Sequence, residues 1–126
     1  MSPFLFIFAT IIGTVLGQLL IKAGVLSLSR IPEISQAGHV VFLLRSLTNP
    51  LIAGGLLLAF GAAVSWIFAM RALPLNFAYP FTALTIVLVI FLSTKIFNEI
   101  TSPLYWIAVL FIILGLILLT FSGLRQ

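Results

Sequence analysis

The sequence predicts an all-α integral membrane protein, a bundle of four transmembrane helices in a single domain over residues 1–126, expected to pair as a dimer. Three observations carry that expectation. Of 126 residues, 63% are apolar and only 6% are charged, against about 25% charged in a soluble domain, so no soluble fold could cover itself with this chain. Mean hydropathy is +1.37. The ionisable residues Lys22, Arg30, Glu33, His39, Arg45, Arg71, Lys95, Glu99 and Arg125 are spaced widely. They leave apolar runs of the about 20 residues that a helix needs to cross the hydrocarbon core.

The same composition excludes several kinds of chemistry. Cysteine is absent, so there are no disulfides and no thiolate metal sites. One histidine and two separated carboxylates do not assemble a metal or catalytic constellation, and no cofactor is expected. The bilayer is the expected partner, and nucleic acid is not. The first residues carry no Lys or Arg and no small-residue cleavage site follows, so the N-terminal run reads as a retained helix and not a signal peptide.

The first span is expected from about Pro3 to Leu28, the second from Pro50 to Leu73, the third from Phe77 to Phe97 and the fourth from Pro103 to Leu124. Ser2-Pro3, Asn49-Pro50 and Ser102-Pro103 each place a capping side chain before a proline at the first helical position. There the oxygen takes an orphan N–H, and proline has none to lose. Asn76 is expected to cap the third span in the same way.

Within the first span, Thr14, Gln18 and Lys22 recur every four residues as a polar stripe, flanked by Gly13 and Gly17. An ionisable group inside a span marks a functional site, because burying it in lipid costs roughly 3 kcal/mol or more. The competing reading is that the long stem of Lys22 snorkels its charge to the interface.

The first connection, Ser29 to Asn49, holds most of the polar residues. Its segment His39 to Arg45 reads either as a short amphipathic helix lying in the interface or as an extension of the second span. The other two connections are short, which predicts antiparallel neighbours in an up-down-up set of the second, third and fourth spans.

Small residues in the second span (Gly54, Gly55, Gly61, Ala62, Ala63) and in the fourth (Ala108 and Gly115, on one face) fit close helix approach. That approach is either within one subunit or across a dimer contact. Ala108 and Gly115 are the candidate dimer residues. Arg71 and Lys95 stand at helix ends as phosphate anchors, and Lys95 and Glu99, four apart, are expected to pair. Trp66, Tyr105 and Trp106 suit the interface. Tyr79, beside Pro80, is placed either to line a cavity or to join the same aromatic belt.

An even number of spans puts both termini on one side. Arg30, Arg45 and Lys95 flank the first and third connections, against Arg71 and Arg125 on the terminal side. The positive-inside rule therefore leans toward termini outside.

Four helices packed around one another fill their own centre, so a transporter of this size has to pair. No span body carries a carboxylate. A proton-coupled exporter of lipophilic cations needs one to hold the proton or the cargo. A cavity lined by Lys22, aided by Arg71, favours an anion instead. With such apolar walls the expected anion is a lipid headgroup.

Several segments together resemble a known family. They are Gly17-Gln18-Leu-Leu-Ile-Lys22, Leu73-Pro74-Leu-Asn-Phe-Ala-Tyr79-Pro80, Glu99-Ile-Thr-Ser-Pro103 followed by Trp106, and Phe111-Ile-Ile-Leu-Gly115. In order and spacing the chain resembles the small multidrug resistance branch of the drug/metabolite transporter superfamily. It looks most like the small subunits of the aminoarabinose–phosphoundecaprenol flippase. The resemblance covers all but the first connection. Drug exporters of this branch carry a catalytic glutamate where Thr14 stands here, and a tryptophan where Thr82 stands. The resemblance thus implies the fold and the paired assembly, but not drug/proton exchange. Its flippase-like members share the Gly-Gln-x-x-x-Lys pattern, which implies a polyisoprenyl-phosphate-linked sugar as substrate.

The expected function is a flippase subunit in the bacterial inner membrane, as a homodimer or with a sister chain. Lys22 neutralises phosphate, and Gln18, Thr14 and Tyr79 supply hydrogen bonds. The second and third spans rock between two openings, and no covalent step is catalysed. The alternatives are a cation exporter, an accessory membrane subunit of a larger enzyme, and a transporter of sugars or metabolites without lipid.

Overall fold

The computed structural model describes residues 2–124, and its elements are helical throughout. They are α1 (Pro3–Ser29), α2 (Pro32–Ser35), α3 (His39–Thr48), α4 (Pro50–Met70), α5 (Leu75–Ala78), a 3₁₀ turn (Tyr79–Thr82), α6 (Ala83–Phe97) and α7 (Pro103–Leu124). Because α5, the 3₁₀ turn and α6 run on as one path, four apolar spans of 27, 21, 23 and 21 residues are long enough to cross a membrane. The chain is a multi-pass membrane protein. Arg125, counted above for orientation, lies outside the described residues.

Proline sets most of the boundaries. Asn49 precedes Pro50 and is held extended at φ −74°, ψ 128°, because a residue before proline is pushed out of the α region. That breaks the chain between α3 and α4, so the first connection contains a separate helix and does not extend the second span. The Asn49 side chain accepts from the N–H groups of Leu51 (2.9 Å) and Ile52 (3.3 Å), a full N-cap. Ser102 caps α7 more loosely, accepting from the Tyr105 N–H at 3.3 Å.

The other two caps differ from expectation. Ser2 stands at the N-cap of α1 without a side-chain bond. Asn76 does not cap the third span, because extended Pro74 (ψ 147°) already serves as N-cap and the helix opens at Leu75. The second span likewise ends at Met70, earlier than Leu73, with Arg71 at its C-cap.

The helix order is a second correction. Chain direction alternates as expected, but α4 meets the third span only around α5, at their shared connection. Its main partner is α1, along most of its length. Small residues explain the preference. Gly17 backs onto Gly55, Gly13 onto Ala62 and Gly24 onto Ile52, and Phe6 stacks on Phe68 with ring centroids 5.2 Å apart. In lipid, where apolar surface gives no preference between partners, such close backbone approach decides which helices pack.

On its other side α1 meets α6, and α7 rests on α6 and the start of the third span. The result is a row, α4–α1–α6–α7, and not a ring around a filled centre. The core follows: Ile7, Ile11 and Val15 of α1 bury against Ala69 and Ala78, with Trp66, Val89 and Leu92 around them. Buried share falls from 28% in the first span to 6% in the third and fourth, so the α6–α7 side of the row is the uncovered one.

α3 turns Ser46 inward, its hydroxyl donating to the Phe42 carbonyl (2.7 Å), while Val40, Leu43, Leu44 and Leu47 face out. These positions form one apolar stripe by helical spacing.

Candidate functional site

The polar stripe of α1 runs along the seam between α1 and the third span. At one end, Thr14 lines a hollow of about 400 Å³ together with Thr10, Tyr79, Thr82 and Thr85. Pro80 shapes it: lacking an N–H, it tightens the chain into the 3₁₀ turn over Tyr79–Thr82. There the Thr82 hydroxyl donates to the Tyr79 carbonyl at 2.6 Å. Tyr79 is left exposed, its ring edge-on to Trp66 at 6.1 Å.

The hydroxyl of Thr10 is committed to the carbonyls of Phe6 (2.8 Å) and Ala62 (3.2 Å). Among the described residues, the side chains of Thr14, Thr85 and Tyr79 make no hydrogen bond. They are the groups free to meet a polar ligand. Gln18 follows one turn on from Thr14, and it too is exposed.

At the other end, Lys22 forms an ion pair with Glu99, Nζ to Oε1 3.6 Å, with both side chains nearly half exposed (46% and 42%). The chain after α6 brings Glu99 there. Asn98 ends the helix in the left-handed region, φ 53° and ψ 38°, a conformation that asparagine tolerates better than most residues. Beyond it, the Trp106 indole donates to the Thr101 hydroxyl at 3.0 Å and ties the connection to α7.

Glu99 therefore does not pair with Lys95, as the spacing of four suggested. Glu99 lies past the end of α6, where helical spacing no longer holds, and the Lys95 ammonium sits over the Phe91 ring, 5.9 Å from its centroid.

Arg71 is not part of this line. It borders a separate hollow with Phe6 and Phe68, and Phe6 is about 24 Å along α1 from Lys22 at 1.5 Å per residue. The two cations lie toward opposite ends of the span. Ala108 is exposed, and nothing lies within 4 Å of where a Cβ on Gly115 would stand. That face of α7 is open. A larger hollow, about 620 Å³, lies along α4 on another face of α1. It is lined by Gly13, Gly54, Gly61, Ser65 and apolar neighbours, with no ionisable side chain.

Sequence reasoning thus named Thr14, Gln18, Lys22 and Tyr79; Thr14 and Tyr79 line one hollow, Lys22 meets Glu99, and Gln18 is exposed on α1 between them. That reasoning missed Thr10 and Thr85, and it assigned Glu99 to the wrong lysine. Thr10 carried a readable signal, since it extends the stripe by another four residues toward the N-terminus. The position of Glu99 carried none, because it depends on a backbone turn.

No protein-family model matches the chain, and no solved structure matches it. Curated proteins do. A Salmonella typhimurium protein named probable 4-amino-4-deoxy-L-arabinose-phosphoundecaprenol flippase subunit ArnE is 37% identical over 84 residues, 57% of this chain and 76% of the relative. The protein of that name from Serratia proteamaculans is 34% identical over 106 residues, 84% of each chain.

Proposed function

Because the chain belongs to the family of 4-amino-4-deoxy-L-arabinose-phosphoundecaprenol flippase subunits, we propose that it moves a polyprenyl-phosphate-linked sugar across the bacterial inner membrane as one half of a paired transporter. The observation that supports this most is the polar line on α1, which runs from the hydroxyl-lined hollow at Thr14 and Tyr79, past Gln18, to Lys22. A headgroup made of a sugar and a phosphodiester needs both kinds of partner. Lys22 neutralises the phosphate, and Thr14, Gln18 and Tyr79 bond to sugar hydroxyls. Arg71, at the opposite end of the span, meets the phosphate on the other side of the membrane.

Transfer of this kind breaks no covalent bond and needs no cofactor, so the protein is not an enzyme. The second subunit, another copy or a sister chain, seats on α7 at Ala108 and Gly115. A cation exporter fits the residues less well, since the position of Thr14 offers no carboxylate.

Native mass spectrometry of the purified protein with undecaprenyl phosphate tests the reading. Wild type retains the lipid and Lys22→Ala loses it. Equal retention by both, or by neither, removes Lys22 from the site.

A further inference from the structure

A lysine alone selects for an anion. It does not distinguish an amino sugar on a phosphate from a neutral sugar on the same phosphate. The substrate in the relatives' names carries an amine as well as a phosphodiester, and near neutral pH its headgroup is a zwitterion.

The structure holds a pair of matching polarity. Lys22 and Glu99 face each other at the end of the polar line, Nζ to Oε1 3.6 Å. We propose that this pair opens to take the headgroup, with Lys22 passing to the phosphate and Glu99 to the sugar ammonium, so that Glu99 determines specificity for the amine. The inference rests on the lipid-linked amino sugar reading above and adds what that reading leaves open.

Three features favour exchange over a permanent structural link. The separation exceeds the about 2.7–2.9 Å of a tight charge-assisted hydrogen bond. Both side chains are nearly half exposed, so a headgroup can reach either partner. The pair also stands at the end of the proposed line, within reach of a headgroup held there. Lys22 is two helical turns from Thr14 on the same face, and Glu99 lies two residues past the third span, whose first half supplies Tyr79 and Thr85 to the hollow.

Glu99 is also positioned for this role. The left-handed turn at Asn98 and the Trp106–Thr101 hydrogen bond fix the connection on either side of it. The other acidic residue, Glu33, stands exposed in α2 within the first connection, and among the described residues it forms no ion pair. Glu99 is therefore the one carboxylate at the line.

Competition in native mass spectrometry tests the assignment, using three probes: undecaprenyl phosphate, its 4-amino-4-deoxy-arabinose conjugate, and the same conjugate N-acetylated so that the amine carries no charge. Wild type is expected to favour the free amine over the acetylated form about tenfold, the scale of one charge-assisted hydrogen bond. Glu99→Gln is expected to erase that preference while binding undecaprenyl phosphate at least as well as wild type, since Lys22 is then free. Glu99→Asp is expected to keep the preference. If Glu99→Gln still prefers the free amine, or weakens all three lipids equally, the specificity role is overturned while the lipid-phosphate site stands. If wild type binds none of the three, the proposed function falls and this inference with it.

Discussion

Gly17 and Gly55 meet back to back where α1 crosses α4. A Cβ on Gly17 would stand 2.8 Å from the Gly55 carbonyl oxygen, and one on Gly55 would stand 2.7 Å from the Gly17 carbonyl oxygen. Both obstacles are backbone, which has no rotamer to move aside.

Either Gly17→Ala or Gly55→Ala should therefore force the two helices apart. Overpacking of this kind costs about 1–3 kcal/mol, and thermal unfolding in detergent should show a lowered Tm. Gly61→Ala is the matched control, since nothing lies within 4 Å of its Cβ position. A Gly17→Ala protein that melts with wild type would mean that the crossing is looser than described.

The open face of α7 supports a second expectation. Gly115 has free space around its Cβ position within one chain, so Gly115→Ile should leave the subunit's own folding intact. If α7 is the dimer face, the larger side chain weakens pairing, because close approach between spans depends on small residues. Crosslinking in native membranes reads this directly. Undiminished dimer in the variant would place the contact elsewhere.

α3 provides a third. Its outward stripe of Val40, Leu43, Leu44 and Leu47 is tethered between two spans, within reach of the bilayer surface. A helix of this kind buries its apolar face at the boundary between headgroups and acyl chains. The chain has no cysteine, so Leu44→Cys can be spin-labelled alone. Its collision profile in vesicles should favour oxygen over a water-soluble nickel chelate, and the reverse ranking would show α3 standing in water.

The spans were legible because lipid demands a long apolar run and a satisfied backbone, and both are written in composition. Proline and its preceding residue marked the helix starts. Asn49-Pro50 also carried the reason why α3 could not continue into α4.

The neighbours were not legible. In a membrane a residue facing lipid and one facing another helix can both be Leu, so spacing did not reveal that α4 prefers α1 to the third span. Short connections gave chain direction and nothing more. The polar stripe could be read because a helix repeats every few residues. Pairing Glu99 with Lys22 required the dihedral angles of Asn98, and no periodicity encodes those.

Within one chain the row of helices leaves much of the third and fourth spans uncovered, and that bears on how the proposed lipid cargo would travel. A polyprenyl chain withdrawn from lipid into water would lose about 0.8 kcal/mol for each methylene, an insupportable sum over a tail of dozens of carbons. Under the proposed function, a headgroup that follows the seam between α1 and the third span can leave its tail in the acyl phase throughout. Thr14, Gln18 and Lys22 then meet the headgroup and nothing of the tail. On that reading chain length goes unread, and carriers with shorter or longer prenyl tails should travel the same track at comparable rates.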